Sequence, residues 1–264
     1  MRRPAKPNVD PQRRLLLFGA SNLTRGLATL AGIARRAWNE PLDILAAPGN
    51  GRSYGLTTNI VGRVLPGINS CGIWRSWHAR HTLPTVAVVT DVGNDVMYGV
   101  PVAQILEWVE AVVKKLRDRD VEVVVTGLPM DAVRSLGPRR YLMLRSVLFP
   151  GNRDSFSDAL RRSEEVEAGV RRLVAAHGAR FVAPRAEWYG FDPIHVRRAV
   201  WGRAWSEIVG ALQPPSQAQP VGVAPWSWVR SQFWQPEERR LFGIDQRRAQ
   251  PSVHFSDGSR LSLY

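Results

Sequence analysis

The stretch TVAVVTDVGND, running from Thr85 to Asp95, decides the fold. Its first part, Thr85–Thr90, is small, apolar or β-branched, and Asp91, Gly93, Asn94 and Asp95 then break the run. A run this short suits a strand, because a buried helix needs at least ~10–12 residues. With no polar alternation it reads as a strand covered on both faces, as in parallel sheets. Working outward, Leu42–Ala47 and Arg14–Phe18 repeat the pattern upstream, and Val121–Thr126 and Arg180–Ala183 repeat it downstream, each bounded by Gly, Pro or Asp. Helical patterns separate them. Val102, Ile105, Leu106, Val109, Val112, Val113 and Leu116 form one apolar stripe, and Leu160, Val166, Val170, Leu173 and Val174 form another. Gly26–Trp38 and His195–Leu212 also read as helices. Strands alternating with helices predict an α/β fold with a five-stranded parallel sheet, and right-handed crossovers place helices on both of its faces.

The chain has 264 residues, enough for one α/β domain and an extension. An apolar content of 44% with 22% charged residues excludes wholesale disorder. No run approaches the ~18 apolar residues of a membrane span. The apolar run Leu15–Ala20 is too short for a secretory signal core of ~7–15 residues. Cys71 is the one cysteine, so no intrachain disulfide can form, and a reducing, cytoplasmic location is expected. The formal charge is +13, and of 36 basic residues only Lys6, Lys114 and Lys115 are not arginine. Pairs such as Arg161-Arg162 and Arg171-Arg172 fall on helical segments, where a solvated face explains them. No nucleic-acid-binding motif accompanies the charge, so a small-molecule partner is expected rather than nucleic acid.

The pattern breaks at Gln213. Pro214, Pro215, Pro220 and Pro225 forbid regular structure there. Trp226, Trp228, Phe233, Trp234, Leu241 and Phe242 then make the region too apolar for a free tail. Within Ser252–Tyr264, Asp257-Gly258 separates two alternating runs, a hairpin signal of the primed-turn type. The expected organisation is a flexible arm over 1–12, a catalytic-type domain over 13–213, and a Pro-rich linker with an aromatic extension over 214–264. The extension should dock on the body, adding strands at an edge, or on a second subunit to give a homo-oligomer.

Ligand sites in open parallel sheets lie beyond the carboxyl ends of the strands. Gly19-Ala20-Ser21-Asn22-Leu23 follows the first strand and Pro48–Gly55 the second. Asp91-Val92-Gly93-Asn94-Asp95 follows the third, and Asp192-Pro193-Ile194-His195 comes late in the chain. These four clusters, in this order, resemble the four blocks of the SGNH, or GDSL-type, serine hydrolases, over residues 14–212. Block I is divergent: Ala20 stands where the family often has the Asp of Gly-Asp-Ser. The resemblance implies a three-layer α/β/α, flavodoxin-like fold, an ester, thioester or O-acyl substrate, and no cofactor. It implies Ser21 as nucleophile, His195 as general base and Asp192 as the group orienting the imidazole. The backbone N–H groups of Ser21 and Gly51 and the amide of Asn94 would form the oxyanion hole.

The chemistry asks for these residue types on its own account. A serine hydroxyl needs a base to take its proton as it attacks. Histidine, with an unperturbed pKa of ~6.5, can do so near neutrality, and a carboxylate fixes its tautomer. Asp192 and His195, three apart, can face one way within a helical turn. Plainer readings exist for each residue. Ser21 could be a helix N-cap, Asp192-Pro193 a cap and first-turn pair, Gly49-Asn50-Gly51 a turn, and Asn94-Asp95 a loop. His78 and His81 are spaced like metal ligands but lack a third, so no metal is expected. Insertions at Pro66–Pro84 and Met130–Asp154 should shape the substrate site. The second could be a lid, and its Arg134, Arg139, Arg140 and Arg145 suit an anionic substrate and a solvated surface equally. Two rival functions compare less well with these residues. One is a catalytically idle module that binds through the C-terminal region. The other is a phosphate or flavin binder using Gly49–Gly55, which lacks a Gly-Lys-Ser/Thr ending.

Overall fold

The computed structural model describes residues 10–79, 83–149, 151–213, 229, 231 and 233–264. Residues 1–9 of the expected arm, His81, the four prolines after Gln213, Trp226 and Trp228 lie outside these. Five strands, β1 (Arg13–Phe18), β2 (Leu42–Ala47), β5 (Thr85–Val89), β6 (Glu122–Thr126) and β7 (Arg180–Val182), form a parallel array in the order β2-β1-β5-β6-β7. Leu15 pairs with Ile44 on one side and Val86 on the other. The interior of the array is fully buried: Leu15, Leu16, Leu17, Ala87, Val88 and Val124 are all 0% exposed.

Helices α1 (Ser21–Trp38) and α7 (Trp201–Gly210) pack against one face. Helices α3 (Val102–Arg117) and α6 (Phe156–Ala176) cover the other. The short α2 (Ile73–His78) puts Trp74 and Trp77 into the second core, with Trp74 stacked on Phe18 at 5.0 Å between ring centroids. His78 stacks on Trp77. Two further helices, α4 (Met130–Arg134) and α5 (Pro138–Leu148), lie in the insertion after β6.

The sheet has seven strands rather than five. β10 (Val253–His254) and β11 (Arg260–Leu263) form an antiparallel hairpin, and β11 pairs in parallel with β2. A five-residue connection, 255–259, replaces the expected two-residue turn. It closes through Phe255 N–H to the Ser259 carbonyl at 2.8 Å, and Asp257 is tied to Arg35 at 2.7 Å. A second, four-stranded sheet joins β3 (Thr58–Ile60) and β4 (Arg63–Leu65) to β8 (Glu238–Leu241) and β9 (Ile244–Arg247).

Charge sets the register of β11. The Asp43 carboxylate is fully buried inside an otherwise apolar strand. It accepts from Arg14 Nη2 at 2.7 Å through one oxygen and from Arg260 Nε at 2.7 Å through the other. Arg260 is also its register partner across the β2–β11 pair. A one-residue slip would take Arg260 away from the buried carboxylate. Asp43→Ala leaves the buried Arg14 guanidinium without its counter-charge, and removing one partner of such a pair costs about 3–5 kcal/mol. Denaturant unfolding should show a loss of that size, whereas Arg35→Ala, at the exposed Asp257 pair, should cost under about 1 kcal/mol.

Candidate active site

The strand order reverses between β1 and β5: the chain goes from β1 outward to β2, then returns to β5 on the other side. The connections after β1 and β5 leave toward opposite faces, which opens a crevice between their carboxyl ends. Ser21 opens α1 directly after β1, and Asn94 begins the helical turn Asn94–Tyr98 after β5. The approach is close: a Cβ on Gly19 would lie 2.5 Å from Thr90 Cγ2, so only glycine fits there.

His195 reaches this crevice from the chain's far end. Its Nε2 is 2.9 Å from Ser21 Oγ, and its Nδ1 is 2.5 Å from Asp192 Oδ2. His195 is buried, and Asp192 is partly exposed. The two do not share a helical turn. The expected helix from His195 starts only at Trp201, because the backbone of 194–197 is committed elsewhere. The Ile194 carbonyl accepts from Asn22 Nδ2 at 2.9 Å, Val196 N–H donates to Asn22 Oδ1 at 2.9 Å, and Arg197 N–H donates to the Trp188 carbonyl at 2.8 Å. Asp192 instead accepts from the Ile194 N–H at 3.1 Å, which turns the loop tightly enough to bring its other oxygen to the imidazole.

Asn22 and Asp91 are the residues that sequence reasoning missed. Asn22 brackets His195 on both sides and also donates to Asp91 Oδ1 at 2.7 Å. Asp91 Oδ2 accepts from the N–H groups of Ala20 at 2.7 Å and Leu23 at 3.2 Å. It thereby supplies the carboxylate at the N-terminus of α1, whose own cap residue, Ala20, makes no side-chain cap hydrogen bond. The acidic group that block I lacks at position 20 comes from the neighbouring strand. Asp91 holds φ at +61°, a left-handed conformation that Asp tolerates better than most residues. Its place directly after the clearest strand was the one signal available.

On the other side of Ser21, Asn94 Nδ2 donates to the Arg52 carbonyl at 3.0 Å, tying the turn after β5 to the Pro48–Gly55 loop. Asp95, fully buried, accepts from Tyr54 N–H at 2.9 Å and so holds the same loop. Burial raises the Asp95 pKa against the hydrogen bonds it accepts from Ser53 and Tyr54. Gly51 sits at φ +63°, and its carbonyl accepts from the Tyr98 hydroxyl at 2.6 Å. Ser21 and Asn94 line one cavity of about 140 Å³, whereas Gly51 does not line it. Val133, Leu136, Tyr141, Leu144 and Phe149 of the insertion after β6 form much of its wall. Arg134 pairs with Glu164 and Arg140 donates to the Gly190 carbonyl, both away from the cavity, whereas Arg145 donates to the Asp154 carbonyl and also lines the cavity wall.

Among solved structures, one titled TesA is 16% identical, with the match covering 76% of this chain and 98% of that one at a TM-score of 0.50. The fold is the SGNH-hydrolase fold. A second solved structure matches with TM-score 0.54 at 16% identity, over 76% of this chain and 97% of its own. The psychrotrophic esterase EstA from Pseudoalteromonas sp. is 12% identical over 76% of this chain and 97% of that one, with TM-score 0.48. No family model and no curated protein matches the chain. At these identities the likeness is one of fold, and the site stands on its own geometry. No helix among the described residues is long and apolar enough to cross a membrane.

A hydroxyl bonded to an imidazole that a carboxylate holds in place is the arrangement from which serine can become a nucleophile. Burial disfavours the charged form of Asp192, but the hydrogen bond and charge of His195, with the backbone donors of Ile194 and His195, outweigh it. The carboxyl is held below its ordinary value. Its contribution to stability is therefore complete above the ordinary carboxylate range and is lost as pH falls through the lowered pKa. Carboxyl-carbon NMR titration should give a midpoint below the usual ~3.9 for Asp192, moving upward in His195→Ala. Equal midpoints in the two proteins would contradict the pairing.

Proposed function

We propose that this chain is a serine hydrolase that cleaves an ester, thioester or O-acyl bond through an acyl-enzyme on Ser21. The observation that carries this reading is the continuous relay from Asp192 through His195 to Ser21 Oγ, with contacts of 2.5 and 2.9 Å. His195 Nε2 takes the hydroxyl proton as Oγ attacks the acyl carbon. The tetrahedral intermediate collapses, the bond to the leaving group breaks, and His195 returns the proton to the departing oxygen or sulfur. Water then enters, His195 removes its proton as the oxygen attacks the acyl carbon, the bond to Ser21 Oγ breaks, and His195 returns the proton to Oγ as the acid leaves. Asp192 holds the imidazole with its Nδ1–H inward, so Nε2 faces Ser21.

The developing oxyanion needs donors already in place. We assign the Ser21 N–H, the Gly51 N–H and the Asn94 amide. The Ser21 N–H opens α1 and has no partner within the helix. The Asn94 bond to the Arg52 carbonyl orients its amide, and Gly51, which precedes Arg52 but does not line the cavity, is the donor this geometry supports least. The apolar cavity next to Ser21 suits the acyl group. A cavity of ~150 Å³ holds benzene, so the 140 Å³ here accommodates an apolar group of roughly six carbons.

The test is a series of p-nitrophenyl esters from acetate to decanoate, with Ser21→Ala as the blank. Wild-type protein should turn over the shorter members best, and Ser21→Ala should show none of this activity. Asn94→Ala should lose ~10²–10³ in turnover while staying folded. Turnover in Ser21→Ala equal to that of the wild type would overturn the assignment.

A further inference from the structure

A second opening lies on the other side of the Ser21–His195 pair. It is an open groove of about 470 Å³, lined by Arg25, Arg197 and Arg198 together with Asp192, His195 and Trp201. It meets the apolar cavity at Val196, which lines both, and the insertion reaches its edge through Arg140, which lies over the Phe191 ring and donates to the Gly190 carbonyl. The sequence puts these arginines there by short-range geometry. Arg25 lies four residues after Ser21 on α1, hence on the same helix face. Arg197 and Arg198 follow His195 by two and three residues.

The two openings are chemically unlike, and the mechanism says which part of the substrate each can hold. The imidazole must deliver its proton to the leaving group, so that group departs on the His195 side. The acyl group remains on Ser21 and occupies the apolar cavity. We propose that the arginine groove binds the leaving-group half of the substrate, and that this half carries an anionic group, phosphate or carboxylate. The inference rests on the hydrolase reading above and adds the substrate class to it: an apolar acyl group of moderate length joined to an anionic alcohol or thiol.

The charges facing the groove support an anion. Arg25, Arg197 and Arg198 set against Asp192 leave 3 − 1 = +2. Asp192 is the opposing charge, and its carboxylate is engaged by the His195 imidazole and the Ile194 N–H. Arg197 donates from one Nη to the Glu187 carbonyl at 2.5 Å, which leaves the guanidinium charge uncompensated by that bond. Among the described residues Arg25 has no carboxylate partner. The planar guanidinium fork matches carboxylate and phosphate oxygens alike, so the chemistry shared by both anions is what the groove recognises. In the reaction the acyl C–O bond breaks, the oxygen takes the proton from His195 Nε2, and the anionic alcohol leaves intact through the open groove.

Three soluble substrates with one acyl group test this: hexanoyl glycerol, hexanoyl glycerate and hexanoyl glycerol 3-phosphate. At low salt, kcat/KM should be at least about tenfold higher for one or both charged esters than for the neutral one, and salt should erode the difference. Arg25→Gln should cut the charged-to-neutral ratio about two- to fivefold, the value of one exposed ion pair, and Arg25→Lys should restore most of it. A preference for the phosphate ester alone assigns the groove to phosphate, and a preference for the glycerate ester alone assigns it to carboxylate. Equal kcat/KM for all three esters, or a ratio unmoved by Arg25→Gln, would overturn the groove assignment while leaving the hydrolase reading intact. Failure of all three in a folded protein that also fails on p-nitrophenyl esters would overturn both.

Discussion

Parallel strands must all end on the same edge of their sheet, and the site depends on that constraint. The order β2-β1-β5-β6-β7 then reverses between β1 and β5, so the segments after those strands diverge and leave a gap at their ends. Ser21, Asp91 and Asn94 occupy that gap because they are among the first polar residues beyond the two strands. What the sheet cannot supply is His195, 174 residues after Ser21. Asn22 supplies that link. One amide, adjacent to Ser21, takes an N–H and a C=O from the residues on either side of His195 and donates to Asp91 as well. Helix α1 and the loop that carries His195 are thus joined by hydrogen bonds that do not involve Ser21 Oγ or the imidazole.

Arginine does unexpected work in the interior. Arg14 and Arg52 are essentially buried. Arg14 meets Asp43 within the sheet, and Arg52 donates to the carbonyls of Pro48, Pro66 and Tyr264. The last of these ties the C-terminal residue to the loop containing Gly51. The C-terminal hairpin is therefore coupled to the candidate oxyanion loop through one guanidinium. Part of the +13 charge serves the fold, and only part is left for a surface or a substrate.

Much of this was legible in the sequence, for identifiable reasons. Continuous β-branched runs and 3.6-residue stripes are local signals, so the five parallel strands and the helices of Val102–Arg117 and Phe156–Ala176 follow from them. Ser21, Asn94, Asp192 and His195 stand at strand ends or beside a proline, where polar clusters attract notice. The rest was hidden because its partners are distant. Asn22 and Asp91 act across 69 residues, and Asn22 and Ile194 across 172. The pairing of β11 with β2 joins residues 217 apart, and no periodicity announces it. Asp43 sits inside an apolar run, where a charge reads as an interruption until Arg14 and Arg260 are seen around it. The second sheet, built of strands of three or four residues with mixed polarity, has too short a pattern to recognise.

The central claim is that Ser21 alone among the serines is activated by a base. Covalent labelling with a fluorophosphonate, mapped by mass spectrometry of the digested protein, reads this directly, because only a hydroxyl beside a positioned base reacts readily. One label per chain on Ser21, absent in Ser21→Ala and sharply reduced in His195→Ala, is the expected result. A label on another serine, or none on the folded wild-type protein, would contradict it.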